Sequence, residues 1–168
     1  MADAGFQVPP GLLCLTTYGA ITAETANSLT QMLEFNARNG LHNVDTRFIM
    51  GSLVDKARNE ACAELLRGQA QHLIFLDADM TWQPNLLMLL LQTAFGDPTT
   101  KPFDIVGGYC NLRGDPYLPT IDTGTGTWEP TDAGIGPIEV IRTGAACLLI
   151  KRHVLEQMEP PWFGIRTP

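Results

Sequence analysis

The chain has 168 residues, 45% of them hydrophobic and 17% charged, with a formal charge of −7 and a mean hydropathy of +0.02. Its length fits one domain with one core, and its composition is that of a globular chain, neither disordered nor membranous. The acidic balance argues against broad electrostatic binding to nucleic acid or anionic lipid, which depends on clustered Lys and Arg.

The longest apolar run, residues 86–91, is far below the roughly 20 residues that a membrane helix needs, so no membrane insertion by this chain is expected. The opening "MADAGFQVPPG" lacks the basic region and long apolar stretch of a secretory signal, which makes a cytoplasmic location the expectation. Cys14, Cys62, Cys110 and Cys147 form no C-x-x-C pair and sit among apolar neighbours. They read as small buried hydrophobes rather than zinc ligands or a redox centre.

In chain order, "GLLCLTTYG" predicts a buried strand ended by Gly19. In "TAETANSLTQMLEFNARNG" the spacing of Ala23, Ala26, Leu29, Leu33 and Ala37 predicts a helix buried along that stripe and stopped by Gly40. "NVDTRFIMG" predicts a second strand. "SLVDKARNEACAELLRG" predicts a helix with Ser52 as N-cap, Val54, Ala57, Ala61 and Leu65 on its buried side, and Gly68 as its stop. "HLIFLDADM" predicts a third strand. Pro84 suits the first turn of a helix that runs to Phe95, and Gly96-Asp97-Pro98 ends it. "FDIVGGYC" predicts a fourth strand. Residues 111–137, rich in Gly, Pro, Thr and Asp, read as hairpins or a mobile flap, and "IEVIRTGAACLLIKRHVLEQM" as a strand followed by a helix. Strands alternating with helices predict an α/β sandwich with a mostly parallel central sheet and no solenoid repeat.

"LIFLDADMTW" sets Asp77 and Asp79 at the carboxyl end of the third strand, where open parallel sheets gather ligands. If the chain stays extended through residue 79, both carboxylates project to one side. Two close anions repel unless a cation or hydrogen bonds stabilise them. A Mg²⁺ or Mn²⁺ ion, using one or two carboxylates with water and substrate phosphate, resolves the repulsion and implies a nucleotide. The alternative is a solvated turn. Asp55, Arg58 and Asn59 share one face of the preceding helix, roughly opposite the Ala57/Ala61 stripe, and read outward, either as part of a site or as a surface ion pair.

The succession of "TTY", "VDKARNEACAELL", "HLIFLDADM", "DIVGGY" and "TGAACLLIKRHVLEQM" resembles the GT-A glycosyltransferases, especially family-two-like members, over residues 12–163. The resemblance implies a Rossmann-like nucleotide-diphospho-sugar transferase fold and transfer of a sugar from a nucleotide donor, UDP favoured, to a hydroxyl of a carbohydrate, protein or lipid acceptor. It also implies a nucleotide pocket of Thr16, Thr17, Tyr18, Asp55, Arg58, Asn59, Asp77 and Ala78. Asp77 and Asp79 would hold Mn²⁺ or Mg²⁺, and Gly107, Gly108, Gly144 and Ala145 would lie near the donor sugar. Relatives continue past a segment like Pro161-Trp162-Phe163 into an acidic motif that supplies the base. This chain ends at Pro168, so a minimal or truncated transferase is expected, with no base identified: Asp115, Asp122, Glu129 and Asp132 are candidate substitutes, against the ordinary reading of loop acids as solvated.

"FLDADMT" also resembles the first motif of haloacid dehalogenase-like phosphatases, in which Asp77 would be the nucleophile and Asp79 the general acid/base. A non-catalytic nucleotide-sugar-binding protein of the same fold is the third reading. His42, His72 and His153 show no ligand spacing, with His153 expected at the surface. Trp82 and Trp128 are expected in the core more than on a sugar.

Overall fold

The run "GLLCLTT" becomes strand β1 (Gly11–Thr17), buried along its whole length because both of its faces meet helices. The computed structural model describes residues 7–51, 53–96, 103–111, 119–124 and 136–164. After β1 come α1 (Ala23–Arg38), β2 (Val44–Met50), α2 (Val54–Arg67), β3 (His72–Asp77) and α3 (Leu86–Phe95). These are followed by β4 (Ile105–Gly107), β5 (Ile121–Asp122), β6 (Arg142–Thr143), β7 (Cys147–Lys151) and α4 (Arg152–Glu156).

The central sheet has the order β2-β1-β3-β7-β4, with β2, β1 and β3 parallel and β7 antiparallel to both β3 and β4. The architecture is therefore α/β with a mostly parallel, mixed sheet. Side chains alternate across it: Leu13 and Leu15 of β1 pack with α1 and α3, while Leu12 and Cys14 pack with α2 and α4. From β1 the chain moves outward to β2, then returns on the other side of β1 to form β3. That reversal places a topological switch between β1 and β3, the position at which such sheets leave a crevice. β5 and β6 form a separate two-stranded ribbon.

Several boundaries differ from the sequence pattern for identifiable reasons. The buried face of α1 is Thr25, Ser28, Leu29, Met32 and Asn36 rather than the alanine stripe, and Leu33 is 44% exposed. The hydroxyls are tolerated because the chain after β3 uses them: Thr25 Oγ1 donates to Met80 O (2.8 Å), and Ser28 Oγ accepts from Trp82 N (3.4 Å). The Ala57, Ala61 and Leu65 stripe of α2 is buried as expected. Its N-cap position is Leu53, and Ser52 lies outside the described residues. α3 starts after Asn85, not at Pro84. The last strand region is split into β6 and β7 around residues 144–146. Of the 111–137 segment, Asn111 pairs with Pro119 and β5 pairs with β6, while residues 112–118 and 125–135 lie outside the described residues. Among the described residues, no helix is long and apolar enough to cross a membrane.

Arg152 closes the bottom of the α2 layer. Its Nη1 donates to the carbonyls of Leu65 (3.0 Å), Gly68 (3.0 Å) and Ala70 (3.2 Å), and its Nη2 to Leu66 O (2.9 Å). One guanidinium thus gathers four carbonyls of the last turn of α2 and the chain that follows it, at the end of the helix where cations are favoured. At the same end of the sheet, His72 is fully buried, with both ring nitrogens unpaired, and its ring fills the space that a side chain at Gly11 would need.

Burial pushes the His72 imidazole down from 6.5 to about 4. The unfolded chain therefore binds the proton more tightly, so this contribution to stability is complete above pH 6.5 and is lost as the pH falls toward 4. That gap corresponds to about 3 kcal/mol. Denaturant unfolding across this window should show a steeper acid loss in the wild type than in His72→Phe, and identical slopes would exclude His72 as the source. Arg152→Met should cost about 2–3 kcal/mol in the same assay, and a loss below about 0.5 kcal/mol would mean that water replaces the guanidinium at those carbonyls.

Candidate functional site

Asp77 ends β3 at the crevice between β1 and β3, opposite Thr16 in the register of the two strands. Its Oδ1 accepts from Thr16 Oγ1 (3.0 Å) and from Arg58 Nη2 (3.0 Å). The Arg58 and Asp77 side chains are only 13% and 28% exposed, so the pair is largely desolvated and stronger than a surface ion pair. Both bonds fall on Oδ1, and Oδ2 is the oxygen through which Asp77 would reach a ligand.

The backbone around Asp77 is equally committed. Asp77 N–H donates to Ala146 O (2.9 Å), Ala78 N–H to Thr16 O (3.2 Å), and Thr22 N–H to Ala78 O (3.1 Å). Extended structure stops at Asp77, and residues 78 and 79 form a turn. The alternation that would have aligned residues 77 and 79 along a strand therefore does not reach Asp79, which is exposed on the turn. Ala78 is buried at 7% exposure and serves through its backbone.

The α2 triplet is turned toward this crevice and not, as its helical position suggested, toward solvent. Arg58 reaches Asp77. Asn59 holds the chain near the carboxyl terminus: its Nδ2 donates to Phe163 O (2.7 Å) and its Oδ1 accepts from Phe163 N (3.1 Å). This reciprocal pair positions the Phe163 ring 5.8 Å from the Arg58 guanidinium and edge-on to Phe75. Trp162 Nε1 donates to Leu155 O (3.0 Å) and completes the strap. Asp55 Oδ1 and Arg58 Nε are shielded from solvent without a hydrogen-bond partner. Two such groups side by side on one helix carry a desolvation cost of about 1–3 kcal/mol each.

The remaining sequence candidates divide. Thr17 Oγ1 donates to Ala20 O (2.7 Å) and accepts from Gly19 N (3.2 Å), shaping the turn after β1, while Tyr18 beyond it is 74% exposed. Gly107, Gly108 and Gly144 have close neighbours within this chain. A Cβ on them would meet Thr143 Oγ1 at 2.6 Å, Cys147 Sγ at 2.5 Å and Thr120 at 2.9 Å, respectively. Ala145 packs against the core on the α2 side. All four cysteines are buried and free, and His153 is half-exposed with Nε2 3.3 Å from Asp104. Trp82 is partly buried against the core, while Trp128 lies outside the described residues. Sequence reasoning missed the bond between Asn59 and Phe163. Its only signal was an apolar "PWF" in a chain end rich in proline.

No family model and no curated protein matches this chain. Among solved structures it is similar to A197 from STIV, at 20% identity over 92% of this chain and 71% of the other, with a TM-score of 0.58. That likeness shows a shared α/β fold.

Asn59→Ala removes both bonds to the Phe163 backbone. It is expected to cost about 1–3 kcal/mol and to shift tryptophan emission to the red as Trp162 loosens. Unchanged emission and stability would show that packing alone holds the strap.

Proposed function

We propose that this chain has a GT-A-like fold and is a metal-dependent glycosyltransferase that takes its sugar from a nucleotide-diphosphate donor, with UDP favoured. The observation that carries the reading is the position of Asp77, at the carboxyl edge of the β1/β3 switch point, with Thr16 and Arg58 already holding one of its oxygens. A preorganised carboxylate in a crevice suits a ligand that arrives with its own charge.

The residues present fit a hard divalent cation. Asp77 and Asp79 offer two carboxylates on adjoining strand-end and turn positions, and among the described residues no group of three or more His, Cys, Asp or Glu gathers to enclose an ion fully. This donor set suits Mg²⁺ or Mn²⁺, which complete their shells with water and phosphate oxygens. When bound, such an ion supplies Lewis-acid stabilisation of the negative charge on the departing diphosphate, without a basic protein surface.

The chain's own groups supply recognition. Arg58 holds one oxygen of Asp77 in place, and Thr16 orients the same oxygen. The unpaired Asp55 Oδ1 and Arg58 Nε are an acceptor and a donor. The imide edge of uracil offers the matching donor and acceptor, and a ligand that opens this rim relieves both desolvation costs. Of the four loop acids considered as bases, Asp122 accepts from Gly124 N (2.8 Å), and Asp115, Glu129 and Asp132 lie outside the described residues.

The test is calorimetric titration of UDP with and without Mn²⁺, on the wild type and on Asp79→Ala. Binding should require the metal and weaken at least about tenfold in the variant. Binding that ignores both, or release of phosphate from a monoester with no UDP affinity, would overturn the reading and favour the phosphatase chemistry. Metal-dependent UDP binding with neither sugar transfer nor slow donor hydrolysis would identify a non-catalytic binding protein.

A further inference from the structure

The outer strand β2 carries a second surface, on the side of the strand away from β1. It ends the five-stranded sheet, and among the described residues nothing pairs with its far side. In its ladder with β1, Gly11 N–H donates to Asn43 O (2.8 Å) and Gly51 N–H donates to Thr17 O (3.1 Å). Those bonds fix the phase: odd-numbered backbone groups of β2 face β1, and those of Val44, Thr46 and Phe48 face outward.

We propose that β2 is a homodimer interface, pairing antiparallel with β2 of a second copy about a two-fold axis at Thr46. In this register "VDTRF" is complementary to itself. Thr46 lies opposite Thr46 and Val44 opposite Phe48, both at hydrogen-bonded positions supplied by the outward backbone groups. Asp45 lies opposite Arg47 at the closer, non-hydrogen-bonded positions, twice by symmetry. Opposed residues share a face, so the ion pairs form on the α2 side and the apolar pairs on the α1 side.

The neighbouring registers lack this match. Centring on Arg47 sets arginine against arginine and Asp45 against Ile49, and centring on Phe48 sets Arg47 against Ile49. The groups that would meet are accessible: the Asp45 and Arg47 side chains are 76% and 51% exposed, and Phe48 is 52% exposed. Within its own chain Arg47 lies 3.7 Å from Asp45 and 3.5 Å from Glu64. In the pair it keeps Glu64 and gains Asp45 of the second copy. Edge strands are ordinarily defended by charge, but opposite charges two residues apart defend this edge against other strands while attracting its own copy.

Light scattering and sedimentation over a concentration series test the interface. The wild type should show a monomer–dimer equilibrium. Arg47→Asp, which sets carboxylate against carboxylate, should raise the dissociation constant about tenfold or more. The swap Asp45→Arg/Arg47→Asp, made together with Glu64→Gln so that no carboxylate of the same chain faces position 47, should restore it, because the opposed charges across the pair are then merely exchanged. Thr46→Pro should abolish pairing while sparing the β1 ladder, since the N–H it removes faces outward. A wild type that stays monomeric across the series would overturn the proposal, as would an Arg47→Asp dimer as tight as the wild type or a folded swap variant carrying Glu64→Gln that fails to recover.

Discussion

A carboxylate at the mouth of a strand buried on both faces must have partners, and this requirement organises the molecule. Asp77 meets it by drawing a hydroxyl from β1 and a guanidinium from α2 onto a single oxygen. Each bond crosses between elements far apart in sequence, so the charge that would otherwise destabilise the sheet end fixes the spacing of β1, β3 and α2. Arg58 is in turn backed by the ring of Phe163, whose backbone is held by Asn59. Desolvation, ion pairing and the path of the chain near its carboxyl terminus are thereby coupled at one crevice.

The remaining layers are fastened by the same device, a polar side chain spent on another element's backbone. Thr25 and Ser28 of α1 bind the chain that leaves β3, and Arg152 binds the carbonyls at the end of α2. These contacts occur at the two opposite ends of the strands. The carboxyl end keeps Asp77 partly exposed, whereas the other end buries His72 completely. A partly open carboxylate and a structural anchor thus sit at opposite ends of β3.

The alternation of strands and helices was legible because apolar runs and helical stripes are local patterns. β1, β3 and the Ala57/Ala61/Leu65 face of α2 follow them closely. What failed to read depended on distant partners. Thr25 and Ser28 look like surface residues until Met80 and Trp82 are seen to need them. Arg58 and Asn59 looked solvent-facing because nothing local announces Asp77, 19 residues on, or Phe163, 104 residues on. The alignment of Asp77 with Asp79 assumed two more extended residues than β3 contains. Only the resemblance set Gly107, Gly108 and Gly144 near a donor sugar; the contacts a side chain there would make, with Thr143, Cys147 and Thr120 of the same chain, have no local signal.

The reversal of β7 has a consequence for how such a chain can diversify. β4 finishes at the same edge as Asp77, and β7, running the other way, starts there, with Ala146 O bonded to Asp77 N–H. Everything between these two strands therefore leaves and re-enters the sheet at the rim of the crevice. Lengthening such an excursion is cheap, about 0.6 kcal/mol for each doubling of a flexible loop, and it leaves the strand register untouched. The fold thus holds an excursion with both of its attachment points beside Asp77, and what lines that crevice can change in length and composition without disturbing the core.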